Sequence, residues 1–373
     1  MYKFFIIAGE LSGDIHGGKL IQSIKGQYKN ASFLGHGGDN MASEGMKIIE
    51  HINNLSIMGF FEVMRYLPKM NSILNKTATL IKHTNPDRVI LIDFPGFNLR
   101  LAKKIKPYGI PITYFILPQA WAWKENRLKT MKNCCDQLIS IFPFEYKWYK
   151  ERELQVEYFG HPFVDLKPLN FSSKDFLIEN NLVLNEPILL LLPGSRQQEI
   201  DKHLPIFTNT VSIIKNDIPS IQIIIVKAAH VNLPNLPSDY RIVSNLRKAM
   251  AVGTAAIVAS GTATLECAMQ KIPMVVCYKL SFLSWMIAKM LIKVNFSSIV
   301  NLIANKTIVP ELLQHRMQPT IIANKISPFL NKNSNKRNIM LNDLNILSKN
   351  LGLPGVYNRI AESIISKSKK NHQ

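Results

Sequence analysis

Three turns in this chain gather glycines, hydroxyls and charged residues just after short apolar runs, where parallel α/β proteins hold anionic ligands. The first is AGELSGDIHGG, residues 8–18. Its glycines let the backbone approach a ligand closely, and Glu10, Ser12 and Asp14 offer polar groups at a helix entry. The spacing fits neither G-x-G-x-x-G nor G-x-x-x-x-G-K-[ST], which argues against dinucleotide and P-loop chemistry. A tight turn capped by Ser12 or Asp14 would have the same composition. The second is LLLLPGSRQQEID, residues 189–201, where an apolar strand ends in Gly194, Ser195 and Arg196. Free amides and the positive end of a helix attract an anion here, and the arginine adds a charged fork. The third is AIVASGTATLECAM, residues 256–269. Ser260, Gly261, Thr262, Ala263 and Thr264 expose amides and hydroxyls with little bulk, which suits a diphosphate. Glu266, about one turn into the helix, is placed to accept from vicinal hydroxyls such as those of ribose, or to serve only as a helix-start acid.

What is absent narrows the chemistry. The sequence contains no Asp-x-Asp, and its nine histidines show no metal-ligand spacing. No metal or other cofactor is expected, so a leaving diphosphate would be neutralised by amides, helix ends and Arg196.

These turns need strands and helices to position them. Apolar runs at 4–8, 88–92, 113–116, 137–141 and 156–159, then 188–192, 221–226, 241–243, 255–259 and 274–278, alternate with helically spaced stretches. That alternation predicts βαβ units, giving an α/β protein of two Rossmann-like doubly wound domains facing across a cleft, of the GT-B type. The polar, proline-punctuated stretch 165–174 reads as the linker. It divides a first domain, 1–168, from a second, 169–350. A last segment, 351–373, packs back on the first domain or on a partner subunit of a homodimer.

The chain has 373 residues, enough for two domains, and 47% of them are hydrophobic, which excludes disorder as the main state. Its formal charge of +19 is spread over both halves. Such a protein seeks polyanions: nucleic acid, an anionic membrane, or a phosphorylated substrate. Four cysteines are too few for a disulfide framework, and reduced thiols are expected. The start, MYKFFIIAGELSGD, does not read as a signal peptide. The apolar region 272–296 is interrupted by three lysines, too often for a spanning helix.

Ten motifs taken in order make the sequence resemble the lipid A disaccharide synthase family. They are AGELSGD at residue 8, IMGFFEV at 57, IDFPGFN at 92, PQAWAWKENR at 118, IFPFE at 141, FGHP at 159, LLPGSRQQEI at 191, SGTATLE at 260, PMVVCYK at 273 and PELLQ at 310. The resemblance implies an inverting glycosyltransferase that joins a UDP-2,3-diacylglucosamine donor to a 2,3-diacylglucosamine 1-phosphate acceptor and releases UDP. It implies Asp93 as general base toward the acceptor 6-hydroxyl, and a position closing an apolar strand suits that role. It further implies Arg196 on the diphosphate, Asn301 in the active site, Gln314 in the PELLQ motif, and Glu10 with Ser12 near the sugar and acceptor. Gly96, Val300 and Gln119 depart from the family pattern, Gly96 standing where many relatives have a second aspartate. Trp121 and Trp123 suit either a core or a stacking platform for sugar or acyl chain.

Phe60, Phe61, Met64 and Leu67 belong to a broad apolar face edged by Arg65, Lys69 and Lys76, and 282–293 (FLSWMIAKMLIK) repeats the mixture. Such faces suit an interfacial helix. The expectation is a cytoplasmic enzyme, peripheral on the cytoplasmic face of the inner membrane. Rivals are another GT-B enzyme using UDP-N-acetylglucosamine, such as the lipid II glycosyltransferase or an epimerase, and a basic nucleic-acid-binding protein. Nucleic acid is not expected as a partner, since no recognition motif accompanies the charge.

Overall fold

The computed structural model describes residues 2–55, 60–281, 285–286 and 294–369, with backbone alone over 60–67 and at 369. The side chains of Phe60, Phe61, Met64 and Leu67 lie outside the described residues, as does 282–293 apart from Trp285 and Met286. The chain forms two compact units: Met1–Asp165 with Gly352–Gln373, and Leu166–Leu351.

In the first unit, seven strands form a parallel sheet: β1 (Tyr2–Ala8), β2 (Ala31–Gly37), β3 (Lys47–His51), β4 (Arg88–Ile92), β5 (Ile112–Phe115), β6 (Gln137–Ser140) and β7 (Glu157–Tyr158). Their order in space is β3-β2-β1-β4-β5-β6-β7. The second unit carries β8 (Ile188–Leu192), β9 (Gln222–Val226), β10 (Tyr240–Val243), β11 (Ala255–Ala259), β12 (Met274–Tyr278) and β13 (Glu311–Leu313), all parallel, in the order β10-β9-β8-β11-β12-β13. All five residues of β4, β8 and β11 are buried, because helices cover both faces of a parallel sheet and leave no solvent side for polar alternation. Each sheet reverses strand order once, at β1/β4 and at β8/β11, and a ligand crevice opens at the carboxyl ends of such a pair.

Three strands depart from the sequence reading. β2 and β3 extend the first sheet and β13 the second. β2 reads ASFLGHG, and its Gly35 sits at a register shift with φ +147°, where a Cβ would fall 1.9 Å from the Ile6 carbonyl oxygen. Contact with β1 selects glycine there and erases the apolar run. A single helix, Phe60–Thr84, contains Pro68.

The final helix, Val356–Lys369, belongs to the first unit. A polar ladder crosses four strands to meet it. Arg88 on β4 donates to Thr113 on β5 (3.0 Å), Thr113 to Gln137 on β6 (2.9 Å), and Gln137 to Glu157 on β7 (2.8 Å). From the helix, Ser368 accepts from Arg88, Ser363 bridges Gln137 and Glu157, and Lys367 pairs with Glu157. Burial works to raise Glu157, but these donors outweigh it and hold its carboxyl below the usual range.

Candidate active site

At the carboxyl end of the first sheet, β1 runs into Gly9 and Glu10, and β4 into Asp93. Asp93 and Phe94 both adopt left-handed backbone, φ +45° and +49°, an uncommon pair for residues bearing side chains. The surroundings enforce it. Asn98 donates from Nδ2 to the carbonyls of Asp93 (2.8 Å) and Ile92 (3.2 Å), and the buried Tyr114 hydroxyl donates to the Asp93 carbonyl (2.7 Å). The Phe94 ring lies over Gly9, where a Cβ would fall 2.2 Å from it. Glycine is therefore required at position 9 by close approach. Left-handed backbone at residues bearing side chains clusters at functional sites.

Burial raises the Asp93 carboxyl to about 6 and nearby Glu10 adds to the rise, against the Phe94 amide and Arg127, which lower it. A carboxyl raised toward neutrality is what a general base needs. Glu10 is the extended residue before helix Leu11–Gln27, and both it and Ser12 are exposed. Asp14 has the bland role: buried, it accepts from the amides of Gly38 (2.7 Å), Asn40 (3.0 Å) and Met41 (3.0 Å) and from the Asn40 side chain.

The neighbouring strand ends bring further groups. After β5, Trp121 is buried and donates to Glu145 (2.8 Å), which opens helix Pro143–Lys150 after β6. Burial raises the Glu145 carboxyl to about 8, and its second oxygen has no hydrogen-bond partner among the described residues. His161, after β7, is buried with its ring 5.2 Å from Phe142. Burial lowers it to about 3 with His16 contributing, and His16 is itself lowered to about 4 by burial and Lys19. The Glu145 signal was available in the sequence as an acid in the first turn after IFP; its neutral state was not.

The second sheet presents a different surface at its switch point. After β8, Gly194 has φ +129° and leads through Ser195 to Arg196, whose side chain is 66% exposed. The amides of Ser195 and Arg196 are not free, as the sequence reading had them. Glu199 reaches back from the first turn of helix Gln197–Asp217 and accepts from both (2.9 and 3.3 Å), the cap that an acid at this position makes. Its other oxygen accepts from the Tyr278 hydroxyl (3.0 Å) and lies 3.7 Å from Arg196 Nη1. His203 ties the two strand ends together. Its Nε2 accepts from the Lys279 amide (3.1 Å), so Nδ1 carries the proton and donates to the Pro193 carbonyl (2.7 Å).

After β11, Gly261 precedes helix Thr262–Met269 with extended backbone, and a Cβ there would meet nothing within 4 Å. Open space lies before the first helical turn, where the unpaired amides of a helix start attract anions. Ser260 donates to the Ser297 carbonyl (3.0 Å). Glu266 is partly buried and raised by burial, with Arg247 opposing. Asn301 is fully buried and spends its amide inside the unit: Nδ2 donates to Val309 and Glu311, and Oδ1 accepts from Ile308 and Val309. Glu311 in turn accepts from the amides of Ser297 and Ser298. Asn301 thus braces the turn that Ser260 touches. Gln314 stands at the carboxyl end of β13 with φ +53°. No group of three or more His, Cys, Asp or Glu side chains suited to a metal occurs among the described residues. The four cysteines are free.

A profile of the family described as lipid-A-disaccharide synthetase matches residues 4–352. Lipid-A-disaccharide synthase from Coxiella burnetii is 35% identical over 340 residues, covering 90% of each chain. The Myxococcus xanthus protein of that name is 34% identical over 371 residues, 97% of each. Lipid-A-disaccharide synthase 1 from Legionella pneumophila is 37% identical over 359 residues, 94% of this chain and 93% of the relative. Among solved structures, UDP-GlcNAc 2-epimerase from Neisseria meningitidis bound to UDP-GlcNAc superposes with TM-score 0.65 at 11% identity, covering 99% of this chain and all of that one. The glycosyltransferase SnogD from Streptomyces nogalater gives 0.59 at 13% identity, covering 99% of each. Those likenesses establish a GT-B fold.

Proposed function

The chain belongs to the lipid-A-disaccharide synthetase family and is a glycosyltransferase of lipid A disaccharide synthesis, using a UDP-sugar donor and a sugar-phosphate acceptor; from this premise we propose how its own residues run the reaction. Asp93 accepts the proton of the acceptor 6-hydroxyl. The oxygen attacks the anomeric carbon of the donor from the face opposite the diphosphate, the glycosidic bond forms as the bond to UDP breaks, and the configuration inverts. The observation that carries this reading is Asp93 itself, raised to about 6 and locked in left-handed backbone at the β1/β4 switch point.

UDP leaves toward the open amides of Gly261, Thr262 and Ala263 and toward Arg196, which exchanges its 3.7 Å approach to Glu199 for the diphosphate. Glu266 accepts from the ribose. Ser195 and Gly194 shape the turn that carries Arg196. Asn301 and Gln314 act by fixing the loops after the second sheet, and Glu10 and Ser12 face the acceptor sugar. No divalent ion takes part in this scheme. The donor and acceptor are the diacylated glucosamines, and the enzyme collects them as a peripheral protein on the cytoplasmic face of the inner membrane. No described helix is long and apolar enough to cross a bilayer.

The test is UDP release from a diacylated UDP-glucosamine and diacylglucosamine 1-phosphate, with and without chelator. Retention of near-full rate by Asp93→Asn would overturn the base assignment, and loss of rate in chelator would overturn the metal-free scheme. Flotation tests the membrane reading. Equal recovery with neutral and anionic liposomes, unchanged by Phe61→Ser with Met64→Ser, would refute it.

A further inference from the structure

The loop after β5 carries two tryptophans of opposite fate. Trp121 is buried against Glu145, whereas Trp123 is 37% exposed and serves as a platform for cations. Lys124 Nζ lies 4.4 Å from the Trp123 ring centroid, and the Arg127 guanidinium carbon lies 5.0 Å from it. Lys124 adopts left-handed backbone, φ +57°, at a residue type that seldom does. Neither cation has a carboxylate within ion-pairing distance among the described residues.

A second arginine in the same unit supplies the contrast. Arg152 also stacks on an indole, 3.9 Å from the Trp148 centroid, but it is neutralised by Glu125 at 2.6 Å. Glu125 lies between Lys124 and Arg127 in sequence and accepts from Arg152. Half-buried Arg127 thus has no ion-paired carboxylate among the described residues, and a longer-range attraction couples it to Asp93, whose carboxyl it lowers. A partly desolvated cation without a partner is costly unless an anion completes it.

We propose that Arg127 and Lys124, held by Trp123, form the site for the phosphate monoester of the acceptor sugar, and so orient its hydroxyl toward Asp93. This rests on the acceptor reading of the first unit given above. A guanidinium offers paired donors to phosphate oxygens, and stacking on an indole fixes its plane in advance. Phosphate and hydroxymethyl group are carried by the two carbons that flank the oxygen of one pyranose ring, so anchoring the first limits where the 6-hydroxyl can lie.

The experiment measures equilibrium binding in detergent of diacylglucosamine 1-phosphate and of the same sugar without phosphate, to wild type, Arg127→Gln, Trp123→Ala and Arg152→Gln. Wild type should bind the phosphorylated sugar tighter by on the order of 10- to 100-fold, the scale of one or two charge-assisted hydrogen bonds. Arg127→Gln should abolish that preference without weakening the phosphate-free sugar, Trp123→Ala should reduce it in part, and Arg152→Gln should keep it. Equal loss for both sugars, or an unchanged preference, overturns the proposal. So does a variant whose only defect is weaker binding to anionic vesicles, which assigns the cations to lipid headgroups. Turnover by Asp93→Asn, measured beside these, separates a failed base assignment from a failed phosphate site, because binding does not require the chemistry.

Discussion

The carboxyl ends of the two sheets make an instructive pair. Both are switch points of parallel sheets, yet they carry different chemistry. The first sheet gathers titratable side chains displaced by burial: Asp93 and Glu145 upward, His16 and His161 downward. The second gathers small residues and backbone amides, with its buried polar side chains turned inward. Asn301 and Glu199 satisfy loops, and Gly261 leaves open space. One topology therefore carries shifted carboxyls and imidazoles at one switch point and open space beside small residues at the other, because the strands fix only where loops emerge. Whether a loop tunes a pKa or exposes an amide depends on how deeply its side chains are buried.

Breaking the acid side should have the largest effect. Asp93→Asn, which tolerates the left-handed backbone, should lower turnover by about 10²- to 10⁴-fold with the fold retained. In wild type, kcat/KM should fall as pH drops below about 6, since the base protonates there rather than near 4. A flat profile between pH 5 and 7 would contradict that assignment.

Arg196→Ala should raise the donor KM about 10- to 100-fold while acceptor KM stays near wild type, measured with each substrate varied in turn. A matched rise for both would erase the division between the two ends.

Two glycines sharpen the same contrast more gently. Gly261→Ala should leave stability within about 0.5 kcal/mol, because nothing lies within 4 Å of the new Cβ, yet raise donor KM several-fold by crowding the amides. Gly9→Ala should lower the melting temperature instead, since the Phe94 ring and the strained Asp93 must move. Reversal of these outcomes would mean that the first turn faces ligand and the third faces packing.

The smallest effect concerns pH and stability. Glu145 titrates at about 8 in the folded chain and near 4.5 when unfolded, so between these values the unfolded state binds fewer protons and stability falls as pH rises. Glu145→Gln should flatten that decline between pH 5 and 8 in denaturant titrations. An unchanged slope would show that the carboxyl is not held neutral.

Much of this was legible in order along the chain, and the reasons differ by element. β4, β8, β11 and β12 announce themselves as apolar runs because both faces of each are covered. β2 does not, since its contact with Ile6 demands Gly35, and β13 is three residues long. The turns of Asp93, Arg196 and Gly261 could be found because strand, small residues and helix follow one another locally. Glu145 and Arg127 could not be ranked, because their character arises from burial and from which groups lie near them in space. Asn301 could be noticed, but its role as a brace depends on Glu311 and on residues 308–309 folding back to it.

By itself the sequence determined the strand and helix alternation, the family, and the residues that stand at strand ends, because these depend on local pattern and motif order. Only the tertiary structure decided which of those residues are poised. The Asp93 carboxyl is raised by burial and by Glu10, Glu199 takes the amides that seemed open, and Trp123 gathers cations while Trp121 joins the core. The physical reason is common to all three. A group's charge state and availability depend on its neighbours in space, and most of those neighbours are distant in the chain.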